Sequence, residues 1–489
     1  MCPCYGTVAA MRDFIPPYPP RLKGTPTTLQ RLWRLRDDML GLWEESAFEY
    51  DFVSTKILSR RIFLCNSPES VQFAFSTKNT SFEQKSPEMR RVLEPLLGDG
   101  LFISGGETWR TRRRIVAPVI HISRLAQFAP MMVEAAVEAR DRWAALPPPG
   151  NLDALSEMAQ LTAEIICRTI FGRELGHHHA REIVEAFTDY QRVAFRLDFA
   201  MLLGLPDWLP RWPQPALRRS VKRMFGVIEG IVDAHRRAGA AQGDSAIGLL
   251  LRARDEDTGQ PLDADALRNE AVVLFMAGHE TTANTLAWTW FMLSQTPDVE
   301  ARLHAELDAV LGGRLPTLAD VPRLVYARAI IDEVLRLYPP VPFLSREAGK
   351  DEEFQGQAIP KGSVIVVAPW LLHRHKKLWE QPDHFIPERF LPGGAGAPSK
   401  FAYVPFSIGP RICAGMAFGQ TESILCLAIL AQSFRLRLKP GTNVQPICRM
   451  TLRPGDALPM TAEPRTVVAV APGAAVAAFA PACPFGHVS

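Results

Sequence analysis

The chain has no apolar run near its start. Residues 1–30 carry instead the proline-rich segment Ile15-Pro16-Pro17-Tyr18-Pro19-Pro20. A spanning helix needs roughly 20 consecutive apolar residues, so neither a signal peptide nor an integral membrane anchor is expected. The stretch from Val467 to Phe485 is apolar by count, but its Pro, Gly and Ala make a poor spanning helix. Eight cysteines, at 2, 4, 65, 167, 413, 426, 448 and 483, show no framework spacing, which fits a reducing, cytoplasmic setting better than a disulfide scaffold. Cys2-Pro3-Cys4 has no second pair to complete a metal site, and His177-His178-His179 reads as a solvated loop. A formal charge of +3 gives no global attraction to nucleic acid or anionic membranes. No internal repeat is visible.

What is present is a large core. Over 489 residues, 47% are apolar and 22% charged, ordinary values for a globular protein. The expected organisation is a Pro-rich segment at 1–30, one large domain at 31–465, and an Ala/Pro-rich tail at 466–489. Short β-branched and aromatic runs (Ile57-Leu58, Ile62-Phe63-Leu64, Ser363 to Ala368, Phe434 to Leu438) read as strands. Helical periodicity dominates from about 106 to 311, with breaks at Pro147-Pro148-Pro149-Gly150 and from Pro206 to Pro215. One long helix begins at Asp263 or Asp265, both good N-caps, and ends at Gln295 before Thr296-Pro297. Others are expected from Pro322 to Tyr338, stopped by Pro339-Pro340, and from Ala414 to Ala431. The fold class is mainly α with a smaller β-rich part.

Chemistry concentrates around Cys413, in Phe406-Ser407-Ile408-Gly409-Pro410-Arg411-Ile412-Cys413-Ala414-Gly415. Glycines let a backbone come close to a flat cofactor and adopt positive φ. Amide N–H groups turned toward the sulfur would hold it as thiolate, and Arg411 offers a cationic fork to a carboxylate. A small buried cysteine in a Gly-rich turn is the bland alternative. The frame Phe-x-x-Gly-x-Arg-x-Cys-x-Gly resembles the haem-binding loop of the cytochrome P-450 family. That resemblance implies haem b (iron protoporphyrin IX) ligated by Cys413, with Arg411 on a propionate and Phe406 over the sulfur. Cysteine ligation of haem iron favours O–O cleavage.

Four further motifs follow in the family's order. Trp109 and Arg113 share a helix face and match Trp-x-x-x-Arg, which implies propionate contact; Arg346 is a further propionate candidate. In Ala277-Gly278-His279-Glu280-Thr281-Thr282, mid-way along the long helix, the Thr281 hydroxyl can reach back to the Ala277 carbonyl and open the ladder. Gly278 eases that opening. The match to Ala/Gly-Gly-x-Asp/Glu-Thr implies that Thr281 positions bound oxygen and Glu280 relays protons. Glu333 and Arg336, three apart, match Glu-x-x-Arg. With Arg389 of Pro387-Glu388-Arg389-Phe390, they are implied to form a buried structural triad.

The resemblance spans about residues 30 to 465 and implies the cytochrome P-450 fold of a soluble, bacterial-type monooxygenase. Such an enzyme inserts one atom of O2 into an apolar substrate by hydroxylation or epoxidation. Electrons would come from a ferredoxin or flavodoxin with its reductase. Pocket lining is expected from Phe82, Leu93, Leu97, Phe102, Phe275, Met276, Ala277, Val341, Phe343 and Leu344. Arg110, Arg112 and Arg114, with Lys400 and Arg411, are expected to form a basic docking face. A peroxide-driven or rearranging enzyme and a haem sensor remain as alternatives, both disfavoured by the paired Glu280 and Thr281.

Overall fold

The computed structural model describes residues 14–22, 39–57, 60–172, 182–190, 215–237 and 245–466. Cys2-Pro3-Cys4, Leu58, the triple histidine, the break from Pro206 up to residue 214 and the tail from 467 lie outside them. The described chain is a helical body with a smaller β part, as the composition and periodicity predict. Its principal helices are α1 (Pro87–Leu97), α2 (Gly106–Val116), α3 (Leu125–Ala144), α4 (Ala154–Phe171), α5 (Pro215–Arg237), α6 (Ala264–Gln295), α7 (Pro297–Leu311), α8 (Val325–Leu337) and α9 (Met416–Ser433).

Helix α6 is the spine. Asp263 caps it by accepting from the Ala266 amide at 2.7 Å, and Pro297 opens α7 just past its end. Apolar all round, it is buried over most of its length between α4 and the later helices. A Cβ on Gly278 would stand 2.6 Å from Ile166 Cδ1 on α4. The glycine thus serves a close helix crossing, and the helix runs unbroken through it. Trp288 of α6 stacks on Tyr338, just past α8, at 3.6 Å and 6°. Helix α8 starts later than its sequence implies, because Thr317 and Asp320 form a capping box that places Pro322 in a preceding 3-10 turn, Leu318–Arg323.

Strands β1 (Phe52–Ile57), β2 (Arg60–Cys65), β3 (Gln84–Lys85), β5 (Leu344–Glu347) and β6 (Val364–Val367) form a sheet ordered β1-β2-β6-β5-β3. Here β2 and β6 are parallel and the remaining pairs antiparallel. A second sheet joins β4 (Asn151–Asp153), β7 (Phe434–Leu438) and β10 (Pro459–Pro464), with β10 central. The small hairpin β8 (Ile447–Cys448) and β9 (Leu452–Arg453) lies against α6.

Candidate active site

Within buried α6, one short patch opens. Ala277 is exposed and Gly278 and Thr281 are half-buried, although Phe275, His279 and the flanking turns are buried. The two faces separate by helical period: Phe275 stacks on His279 at 5.3 Å on the inward side, while Ala277 and Thr281, again four apart, border a recess. The Thr281 hydroxyl donates to the Ala277 carbonyl at 2.6 Å.

Cys413 is also exposed, at the start of α9. A Cβ on Gly419 of α9 would lie 3.7 Å from Thr282 Oγ1, and one on Gly415, the N-cap of α9, 4.0 Å from Cys413 Sγ. The first turn of α9 therefore bridges the α6 patch and the cysteine. Cys413 is reached by solvent yet ringed by protein, and burial pushes its thiol above the usual range. The Gly415 amide and the Arg113 charge work against that rise. The N-terminus of an 18-residue helix behind the sulfur also favours thiolate.

The cysteine loop is tightly constrained. Cys413 donates its amide to the Phe406 carbonyl at 2.9 Å, and Ser407 sits at φ 63°, a strained conformation for a non-glycine residue. Gly409 has φ +73°, and a Cβ there would lie 2.0 Å from the Phe75 carbonyl oxygen. Backbone cannot yield as a side-chain tip can. Gly409→Ala is expected to displace the loop, costing roughly 1–3 kcal/mol from the strained backbone alone and lowering bound cofactor per chain. Full cofactor content and unchanged thermal stability would contradict this.

Cations crowd the other rim. Arg411 lies 4.4 Å over the Trp109 ring and donates to the Ser104 carbonyl at 2.7 Å. Burial and the neighbouring cations Arg110 and Arg113 push it down to about 10, against the pull of Glu83. Arg346 is 3% exposed with Nη1 unpartnered, pushed down to about 9 by burial and by Arg411. Lys85, absent from the sequence reading, stands directly across β3–β5 from Arg346. It is buried, and burial with the Arg346 and Arg411 charges depresses it strongly. Two buried cations facing each other across a strand pair are destabilising unless an anion joins them. Arg113, Arg346, Arg411 and Lys85, with the neutral Trp109 ring under Arg411, thus present positive charge with no carboxylate bonded to it, the donor set a flat dicarboxylate needs.

Behind the loop, Glu333 and Arg336 are 0% exposed. Arg336 uses all five guanidinium hydrogens: Nε and Nη2 to Glu333 at 2.6 and 2.8 Å, and the rest to the carbonyls of His373, Pro382 and His384 at 2.6–2.8 Å. Arg389 joins with Nε 3.5 Å from Glu333 Oε1 and donates to the Gln381 carbonyl at 2.8 Å. His373, also missed from sequence, carries this network to the cysteine loop. Its Nδ1 lies 3.2 Å from the Arg336 carbonyl, and its Nε2 accepts from the Val404 amide at 2.9 Å. Burial pushes His373 down to about 3, keeping the neutral ring that this arrangement requires.

Two expectations are corrected. Arg112 is turned inward, bonding Asp99 at 3.0 Å with Nε 3.6 Å from buried Glu270, while Arg110 and Arg114 pair with Glu83, Glu107, Asp255 and Asp257. The arginine run is therefore neutralised and forms no free basic face. Six of the ten residues expected to line the pocket are buried in the core, namely Phe82, Leu93, Leu97, Phe275, Met276 and Leu344, with Phe82 on Phe73 at 5.8 Å and Phe275 on His279.

The family profile "Cytochrome P450" matches residues 19–461. The chain is a member of the cytochrome P450 family. It is 34% identical over 418 residues to cyclooctatin synthase of Streptomyces melanosporofaciens, covering 85% of this chain and 89% of that protein. It is 32% identical to cyclooctat-9-en-7-ol 5-monooxygenase of the same organism, covering 85% and 88%. With pentalenene oxygenase of Streptomyces avermitilis it shares 30% identity, covering 73% and 78%. The crystal structure of the cytochrome P450DA heme domain has the same fold, with TM-score 0.79, 24% identity and coverage of 92% and 98%. This cytochrome P450 is a haem-thiolate monooxygenase. Its cofactor is haem b, and it inserts one atom of O2 into an apolar organic substrate with electrons from redox partner proteins. The unpartnered cations and the open cysteine described above fit that cofactor.

Proposed function

We propose that Cys413 ligates the haem iron, that Trp109, Arg113, Arg346, Arg411 and Lys85 hold the propionates, and that Thr281 and Glu280 manage protons at the oxygen-binding face. Phe406 closes the cysteine loop through its carbonyl. When bound, haem supplies the iron at which O2 is reduced and one oxygen atom is transferred. The observation carrying this reading is that Cys413, Ala277 and Thr281 are all at least partly exposed, with the start of α9 beside Cys413 at Gly415 and beside α6 at Gly419. With its hydrogen given to the Ala277 carbonyl, Thr281 Oγ1 presents lone pairs to the recess and can hold a proton donor in place. Ala277, Leu101, Phe102 and Val341 are incompletely buried and offer apolar surface to a substrate.

The names of the curated relatives point to cyclic, alkene-bearing skeletons, and a terpenoid of that kind is the substrate class proposed. The proposed electron donor is a ferredoxin or flavodoxin with its reductase, and the proposed compartment the cytoplasm. Among the described residues, one stretch, Gly106–Ala144, is long and apolar enough to cross a membrane. It carries Trp109 and Arg113 and is broken by the 3-10 turns Ala117–Ile120 and Ile122–Arg124.

Thr281→Ala tests the assignment. It should keep haem content and substrate affinity, the latter read from the ferric haem spectrum, while diverting reducing equivalents into hydrogen peroxide. A hydroxyl that positions the proton needed for O–O cleavage is what has been removed. Product per electron pair unchanged from the parent would overturn the role.

A further inference from the structure

Three hydrogen bonds fasten the β8–β9 hairpin to the spine helix, all from one stripe of α6. Glu280, Asn284 and Trp288 stand at i, i+4 and i+8. Asn284 Nδ2 donates to Thr451 Oγ1 at 2.9 Å, and Trp288 Nε1 donates to the Leu452 carbonyl at 3.3 Å. The third bond is charged: Arg453 Nη2 donates to Glu280 Oε1 at 2.6 Å, with Glu280 4% exposed. Leu452 also donates its amide to the Pro340 carbonyl at 3.0 Å. One two-residue strand therefore touches both the acid beside Thr281 and the chain entering Val341 and Phe343.

The two neutral bonds already attach the hairpin. A buried ion pair is a poor source of extra stability once both charges are desolvated. What it does supply is placement: a charge-assisted bond removes torsional freedom from a long carboxylate side chain. We propose that Arg453 is a positioning residue for proton delivery, fixing the Glu280 carboxylate beside Thr281. Through Leu452, that placement is tied to the segment from Pro340 to Leu344, so a substrate seated there steadies the acid. The inference rests on the reading of Glu280 as proton relay.

The test compares Arg453→Gln, Arg453→Lys, Glu280→Gln and the double variant Glu280→Gln/Arg453→Gln as haem-loaded protein. The probe is a cyclic terpenoid that perturbs the parent's ferric spectrum. Arg453→Gln should bind it with parent affinity in that spectrum, yet give several-fold less product per electron pair from the reductase. Turnover driven by hydrogen peroxide should stay near the parent level, because peroxide brings the two protons and two electrons that O2 lacks. Arg453→Lys should recover most of the loss, and adding Arg453→Gln to Glu280→Gln should cost nothing further. Backbone amide exchange at 451–453 should slow on adding the probe in the parent and not in Arg453→Gln. Parent-level coupling in Arg453→Gln, or equal losses in the electron- and peroxide-driven reactions, would overturn the proposal while leaving Glu280 its role. Parent-level coupling in Glu280→Gln would overturn the reading of Glu280 itself.

Discussion

Cys413→Ser is expected to abolish the thiolate-type absorption of the reduced carbonyl complex, while Cys426→Ser and Cys448→Ser retain it. The difference comes from environment. Cys426 is buried within α9, where burial and the nearby Glu422 hold its thiol far above the usual range, so it remains a small inert core residue. Cys448 lies in the β8–β9 hairpin, away from the glycine loop. At Cys413 the Gly415 amide, the start of α9 and Arg113 all favour the anion. A hydroxyl shares the shape but is a far weaker acid and stays protonated, so the variant should fold but hold haem less firmly. Retention of the thiolate absorption by Cys413→Ser would reassign the ligand.

Arg336→Met is expected to leave almost no haem-loaded protein. Removing one member of a buried charge pair strands the other at a cost of about 3–5 kcal/mol, comparable with the whole stability of a marginal domain, about 5–15 kcal/mol. Here three carbonyls also lose their donor, those of His373, Pro382 and His384. Arg336→Lys should rescue little, since an ammonium has three donors where the guanidinium uses five in a fixed fork. Because His373 links the Arg336 carbonyl to the Val404 amide, damage should reach the cysteine loop. The checks are haem per chain and thermal unfolding. Arg336→Lys with parent haem content and parent stability would show that the network does not support the loop.

Local signals were the legible ones. Asp263 as N-cap, the stop of α8 before Pro339-Pro340 and the strand Phe434–Leu438 are written in residues adjacent to the feature they set. The triad of Glu333, Arg336 and Arg389 was legible only through the family resemblance, since three-residue spacing alone marks a common surface pair, whereas the back-bond from Thr281 to Ala277 follows from helical period. Pairings made by tertiary packing carried no such mark. Lys85 meets Arg346 only because β3 adds to the edge of the sheet, and Arg453 reaches Glu280 across 173 residues of sequence. The arginine run failed for a related reason: charge on a helix says nothing of which side its neighbours cover, and Asp99 and Glu270 cover the side bearing Arg112. Phe275 is expected at the pocket from the family resemblance, yet it stands two positions before Ala277, and two positions along a helix turn a side chain to the opposite face.

The central claim, that the chain inserts one atom of O2 into an apolar molecule, is tested most directly by isotope. The haem-loaded enzyme, a ferredoxin and its reductase would be supplied with a cyclic terpenoid that shifts the ferric spectrum, under 18O2 in ordinary water. The account predicts product heavier by a single 18O atom, and no label when 16O2 and H2 18O are used instead. Oxygenated product whose label comes from water, or consumption of reductant and O2 with substrate returned unlabelled and unchanged, would contradict it.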